Sequence, residues 1–154
     1  MIILNIYSTL LVQSVLKIMS ISINYKAASK NLSSSNVVFF VDEKYSISSL
    51  KKHVSTNEFS FISDLLKSKD PKKKILDFDI NSKKKVILIS LKKNLSNSDA
   101  ENLGANFFVL FNDLKQNNFI INSETLSDKS KHLLGYFLHG LRLKSYKFEK
   151  YKTK

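Results

Sequence analysis

Two nearly unbroken apolar runs stand out along the chain, residues 37–41 (Val-Val-Phe-Phe-Val) and 86–91 (Val-Ile-Leu-Ile-Ser-Leu). A strand with no polar face is one covered on both sides, as in a parallel sheet between helical layers. Around these runs lie stretches with period-two alternation. Ile21, Ile23 and Tyr25 alternate with polar residues, and Leu76, Phe78 and Ile80 alternate with Asp77 and Asp79, which predicts half-buried strands. Residues 119–121 predict one more short strand. Three segments carry helical spacing instead. Phe61, Ile62, Leu65 and Leu66 follow a capping box at Ser55 and Glu58, and Leu103, Phe107, Leu110 and Leu114 follow one at Ser98 and Glu101. Leu134, Leu138 and Leu141, with Leu133 and Phe137 beside them, form the third stripe. Ser48 or Ser49 can cap a further short helix with Leu50 and Val54 turned inward. The order β, β, α, β, β, α, β, α predicts an α/β domain whose mostly parallel or mixed sheet has helices on both faces.

Residues 1–18 (MIILNIYSTLLVQSVLKI) are apolar but interrupted by Asn5, Ser8, Thr9, Gln13 and Ser14. That is too broken for a membrane span and lacks the charged start and cleavage site of a signal peptide. An amphipathic helix is one reading. The other is that the fold starts at Met19, and the expectation is that residues 1–18 form a non-core extension.

The chain has a formal charge of +12 and no cysteine, which removes disulfides and thiolate metal sites from consideration. Its basic residues are all lysine except Arg142. Clusters at Lys72, Lys73 and Lys74, at Lys83, Lys84 and Lys85, and at Lys92 and Lys93 are candidate phosphate contacts for a nucleic acid. Without arginine or interleaved aromatics they predict sequence-blind contacts, and the excess of lysine, asparagine and isoleucine also fits a compositional bias.

Candidate chemistry is sparse. Asp77 and Asp79 share the polar side of a strand, but no histidine accompanies them. His132 and His139 are seven apart on the last helix, about 10 Å along its axis, which is too far for one shared ion. His53 is expected at the surface, and His139 as a packing or capping residue. The three glycines, Gly104, Gly135 and Gly140, all fall in predicted helices, which argues against a glycine-built phosphate cradle. Gly140 interrupts an apolar stripe at a cost of about 1 kcal/mol relative to alanine, so close backbone packing is the expected reason for it.

After Leu143 the pattern changes again: Tyr146, Phe148 and Tyr151 alternate with Lys147, Lys150 and Lys152. The positions Gly140, Leu141, Leu143, Ser145, Tyr146, Phe148, Tyr151 and Lys152 resemble the Gly-Leu-x-Leu-x-Ser-Tyr-x-Phe-x-x-Tyr-Lys junction of the leucyl (cytosol) aminopeptidase family. His139 and Lys144 depart from its usual acid and glycine. The middle of the chain resembles the same N-terminal domain, through Phe61 to Lys67, the lysine loop before Ile75, and the two following strands. Ser90-Leu91-Lys92-Lys93 replaces the family's glycine turn.

The resemblance implies a macro-like domain over residues 19–144. Residues 145–154 would then be a linker to a catalytic domain absent from this sequence, and Gly140, Tyr146, Phe148 and Tyr151 would mark the junction. The parent activity would be release of N-terminal amino acids from peptides with two divalent metals, manganese or zinc. No catalytic residue, metal ligand or cofactor is expected in this chain, whose sequence lacks the family's Asn-Thr-Asp-Ala-Glu-Gly-Arg signature. Its expected role is non-catalytic assembly or regulation in a cytoplasmic hexamer. Its partners would be the catalytic domain and the other subunits, with no membrane. Some bacterial relatives bind DNA through this domain, which makes nucleic-acid binding by the lysines the alternative.

Overall fold

The computed structural model describes residues 2–8, 19–25, 36–112 and 118–146. Among these residues six strands form one mixed sheet: β1 (Ile2–Ser8), β2 (Met19–Tyr25), β3 (Asn36–Asp42), β4 (Ile75–Asn81), β5 (Lys84–Leu91) and β6 (Asn118–Asn122). Their spatial order is β2-β1-β6-β3-β5-β4. β3 runs parallel to both of its neighbours, β5 and β6, so the parallel core is three strands wide. The flanks are antiparallel: β4 on β5 at one side, β1 on β6 and β2 on β1 at the other. The α-helices among the described residues are α1 (Thr56–Leu66), α2 (Asn97–Phe111) and α3 (Leu133–Ser145).

The two apolar runs are the parallel centre, and their alternate residues serve opposite cores. Val38, Phe40, Ile87 and Ile89 face α2 and α3, in a core containing Phe107, Phe119, Phe137 and Leu141. Val37, Phe39, Val41, Val86 and Leu88 face the other way, against Ile62 of α1, Leu50 of a short 3-10 turn (Ser48–Lys52), and Leu76 and Phe78 of β4. Helices therefore cover both faces, as the sequence predicts. Each of these fully buried side chains contributes roughly 1.5–3 kcal/mol. On the α2/α3 face the Phe107 ring meets those of Phe111, Phe119 and Phe137, the last two edge-on.

Three expectations need correction. Residues 2–8 are not outside the fold: β1 lies between β2 and β6, paired over seven positions with β2 and at Ile2–Asn5 with β6. Interruptions that disqualify a membrane segment do not disqualify a seven-residue strand, and the isoleucines and tyrosine of this stretch favour one. Residues 9–18 lie outside the described residues. The cap of α2 is Ser96 rather than Ser98, its hydroxyl accepting the Asp99 N–H at 3.1 Å. Two capping spacings overlap here, and the earlier one prevails by giving the longer helix. Finally, Leu110 is 57% exposed although it falls in the predicted stripe of α2, and Leu114 lies outside the described residues. Among the described residues no helix is long and apolar enough to cross a membrane.

Candidate functional site

The end of α3 is built by unusually close helix packing. A Cβ on Gly140 would fall inside the backbone carbonyl of Glu101 on α2, and a Cβ on Gly104 inside that of Phe137 on α3. Each helix thus offers a glycine to the other's backbone, and only glycine permits this approach. The close contact expected at Gly140 is present; its reciprocal at Gly104 is legible only once the two helices are seen to cross. His139 ties the same crossing from outside, its Nδ1 lying 2.9 Å from Oε1 of Glu101.

The last turn is locked and then turns outward. Leu141 is fully buried, and Ser145 is buried with its hydroxyl donating to the Arg142 carbonyl at 2.7 Å. Leu143 is nevertheless 58% exposed and Tyr146 72% exposed. Tyr136, seven residues before Leu143 and on the same helical side, is also exposed. Phe148 and Tyr151 lie outside the described residues.

The lysines separate to opposite ends of the sheet. Because β4 and β5 are antiparallel, Lys83, Lys84 and Lys85 sit at their hairpin, while Lys72, Lys73 and Lys74 lie beside Lys92 and Lys93 at the other end. The length of β5 puts about 25 Å between the two ends. At the hairpin, two of the three candidate phosphate contacts, Lys84 and Lys85, are ion-paired within the fold. Lys84 is buried, and its Nζ bonds Glu58 at 2.7 Å. Glu58 also closes the capping box of α1 through the Ser55 N–H. Burial pushes the Glu58 carboxyl up, but the Lys84 and Ser55 hydrogen bonds outweigh it and hold the pKa below its ordinary value. Lys85 bridges Asp77 at 2.7 Å and Asp79 at 2.8 Å. The paired acids of β4 therefore hold a lysine, whose pKa their hydrogen bonds raise despite partial burial.

At the other end, Lys92 and Lys93 rim a crevice of about 470 Å³. It opens between the segments that leave β3, β5 and β6, which diverge to α1 on one face and to α2 and α3 on the other. That is where open α/β sheets hold ligands. Lys44 and Lys129 add to its basic rim. The Asp42 carboxylate is turned to the Lys44 and Ser46 amides at 3.0 and 2.9 Å. The Ser46 amide in particular lowers its pKa. Thr125 anchors the far wall by accepting the Phe40 N–H at 2.9 Å. The buried Tyr45 adopts a left-handed backbone (φ 57°) and donates its hydroxyl to the Lys73 carbonyl, which fixes the lysine stretch against this end.

His53 is half-buried rather than an ordinary surface residue: its ring lies 5.8 Å from that of Phe39, tilted by 35°, and faces Glu124 at 3.8 Å. Among the described residues no group of three or more His, Cys, Asp or Glu could hold a metal ion. Asp77 and Asp79 share the single Lys85 ammonium, and two carboxylates with a lysine between them are not the donor set of a two-metal centre. No known family model, curated protein or solved structure matches this chain.

Proposed function

We propose that this chain is a non-catalytic docking domain of the leucyl aminopeptidase kind, a macro-like module that seats a metal-binding peptidase domain and its sister subunits in the cytoplasm. The observation that carries the reading is the end of α3. A helix held by backbone-to-backbone packing up to Ser145 presents Tyr136, Leu143 and Tyr146 to the outside. A rigid base under exposed apolar side chains is the anatomy of an anchor, because little conformational entropy is lost when a partner covers it. The parent reaction, release of N-terminal amino acids with manganese or zinc, would belong to the partner domain. No step of it is assigned to residues of this chain.

The test is sedimentation of this chain with the separately produced metal-binding domain of a leucyl aminopeptidase. A complex is expected that is lost in Leu143→Glu and Tyr146→Glu. No complex, or one indifferent to both substitutions, would refute the proposal. A second reading, non-specific nucleic-acid binding, is favoured by Lys72, Lys73, Lys74, Lys92 and Lys93 sharing one end of the sheet. It predicts binding whose log–log salt slope is about −0.9 per phosphate neutralised.

A further inference from the structure

Among the described residues β4 is an edge strand, paired with β5 alone. Which of its groups face outward follows from one hydrogen bond. The Ser90 N–H donates to the Lys74 carbonyl at 2.9 Å, and the register pairs Ile75 with Ile89. In an antiparallel ladder, bonded pairs alternate with non-bonded ones. Positions 74, 76 and 78 therefore bond inward to β5, and the main-chain groups of Ile75 and Asp77 point to the open edge. Sheet edges are commonly guarded by bulges and charges. Here the irregularity lies in the far half, between Asp79 and Asn81, and the near half around Ile75 has none.

Beside that near half, a groove of about 590 Å³ runs between β4 and α2. α2 makes its close backbone contacts with α3, at Gly104 and Gly140, and forms one wall of this groove. Ile75 and Leu103 line the groove floor, and Val109 and Leu110 flank it, 54% and 57% exposed. Lys69, Lys73 and Lys74 stand at its end. The acids there are already engaged: Asp70 accepts the Lys72 N–H at 2.9 Å, and Asp77 is paired with Lys85. Among the described residues neither Lys73 nor Lys74 makes an ion pair.

We propose that the near half of β4 and this groove form a strand-addition site for an extended apolar segment flanked by acidic residues. The main-chain groups of Ile75 and Asp77 would bond the incoming strand, apolar side chains would cover Val109 and Leu110, and acidic residues would meet Lys73 and Lys74. Charge selects this occupant over a second copy of the chain, which would bring a further +12 to a basic surface. The site is separate from the α3 end and does not depend on the role proposed for it.

The probe is an end-blocked peptide of alternating valine and threonine with two glutamates at each end, followed by fluorescence anisotropy and amide hydrogen exchange of the full chain. The expected result is saturable binding that weakens with salt, with slowed exchange at the Ile75 and Asp77 amides. Replacing the glutamates by lysine, or N-methylating alternate residues, should weaken binding by about tenfold or more. Leu110→Glu, an exposed substitution, should do the same. The double variant Lys73→Glu, Lys74→Glu should reverse the preference and favour the lysine-flanked peptide. Absence of binding, equal binding of acidic and basic peptides, or undiminished binding of the N-methylated peptide would each overturn the proposal. So would slow exchange of these amides in a self-associated chain without peptide, because the occupant would then be a second copy.

Discussion

Replacing Gly140 by alanine tests the α2–α3 crossing directly. In a helix, alanine is better than glycine by about 1 kcal/mol, so propensity alone predicts stabilisation. The structure predicts the reverse. The new Cβ would overlap the carbonyl oxygen, carbonyl carbon and Cα of Glu101. All three are backbone atoms of another helix, and no rotamer change can move them aside. Overpacking of this kind costs about 1–3 kcal/mol, and a rigid backbone obstacle places Gly140→Ala at the upper end. Subtracting the propensity gain leaves a net loss of about 2 kcal/mol, or a fall in Tm of about 4–8 °C at this chain length. Gly135 is the control on the same helix. It is exposed, and a Cβ there meets nothing within 4 Å, so Gly135→Ala should stabilise by about 0.5–1 kcal/mol. Gly104→Ala should destabilise like Gly140→Ala. The pair together should cost less than the sum, since both force the same helices apart. Urea midpoints of the four variants give the comparison. If Gly140→Ala and Gly135→Ala shift the midpoint in the same direction by similar amounts, the packing argument is wrong.

Lys84→Met should cost about 2–3 kcal/mol, because it strands the half-buried Glu58 carboxylate without its cation. The folded-state pKa of Glu58 is depressed, so its contribution to stability is present above its ordinary pKa and is lost as pH falls through the folded value; urea midpoints taken from neutral to acid pH should show that loss weakened in Lys84→Met. Deleting residues 1–18 removes β1 from between β2 and β6, so Tm should fall by well over about 4–8 °C; an unchanged melting curve would mean that β1 contributes nothing to the fold. The chain alone should not hydrolyse a leucine amide with added manganese or zinc, and turnover above a heat-killed control would contradict the docking role. If nucleic acid binds, glutamine at Lys72, Lys73 and Lys74 should reduce the salt slope, whereas glutamine at Lys84 should instead lower stability, as read from paired binding and melting measurements.

Periodicity alone was enough to identify β3, β4 and β5, because a strand's burial is written in consecutive residues. The apolar runs show which strands are covered twice, and Leu76 and Phe78 show which side of β4 is inside. The capping box at Ser55 and Glu58 was equally local, since all of its atoms lie within one turn. What the chain could not declare in one dimension were encounters between distant segments. β1 becomes part of the sheet only by pairing with β2 and β6, and no property of residues 2–8 by themselves names those partners. Lys84 looks like any other lysine in a basic run until the hairpin brings it to Glu58, 26 positions earlier in the chain. Leu110 fits an apolar stripe, yet it is left 57% exposed on the groove between α2 and β4, because no other segment among the described residues covers it. Local sequence determines which residues prefer to be buried and with what period. Which lysines remain available to a partner, and which apolar residues remain uncovered, was decided by how the strands and helices meet, because burial and ion pairing depend on neighbours that the chain supplies from elsewhere.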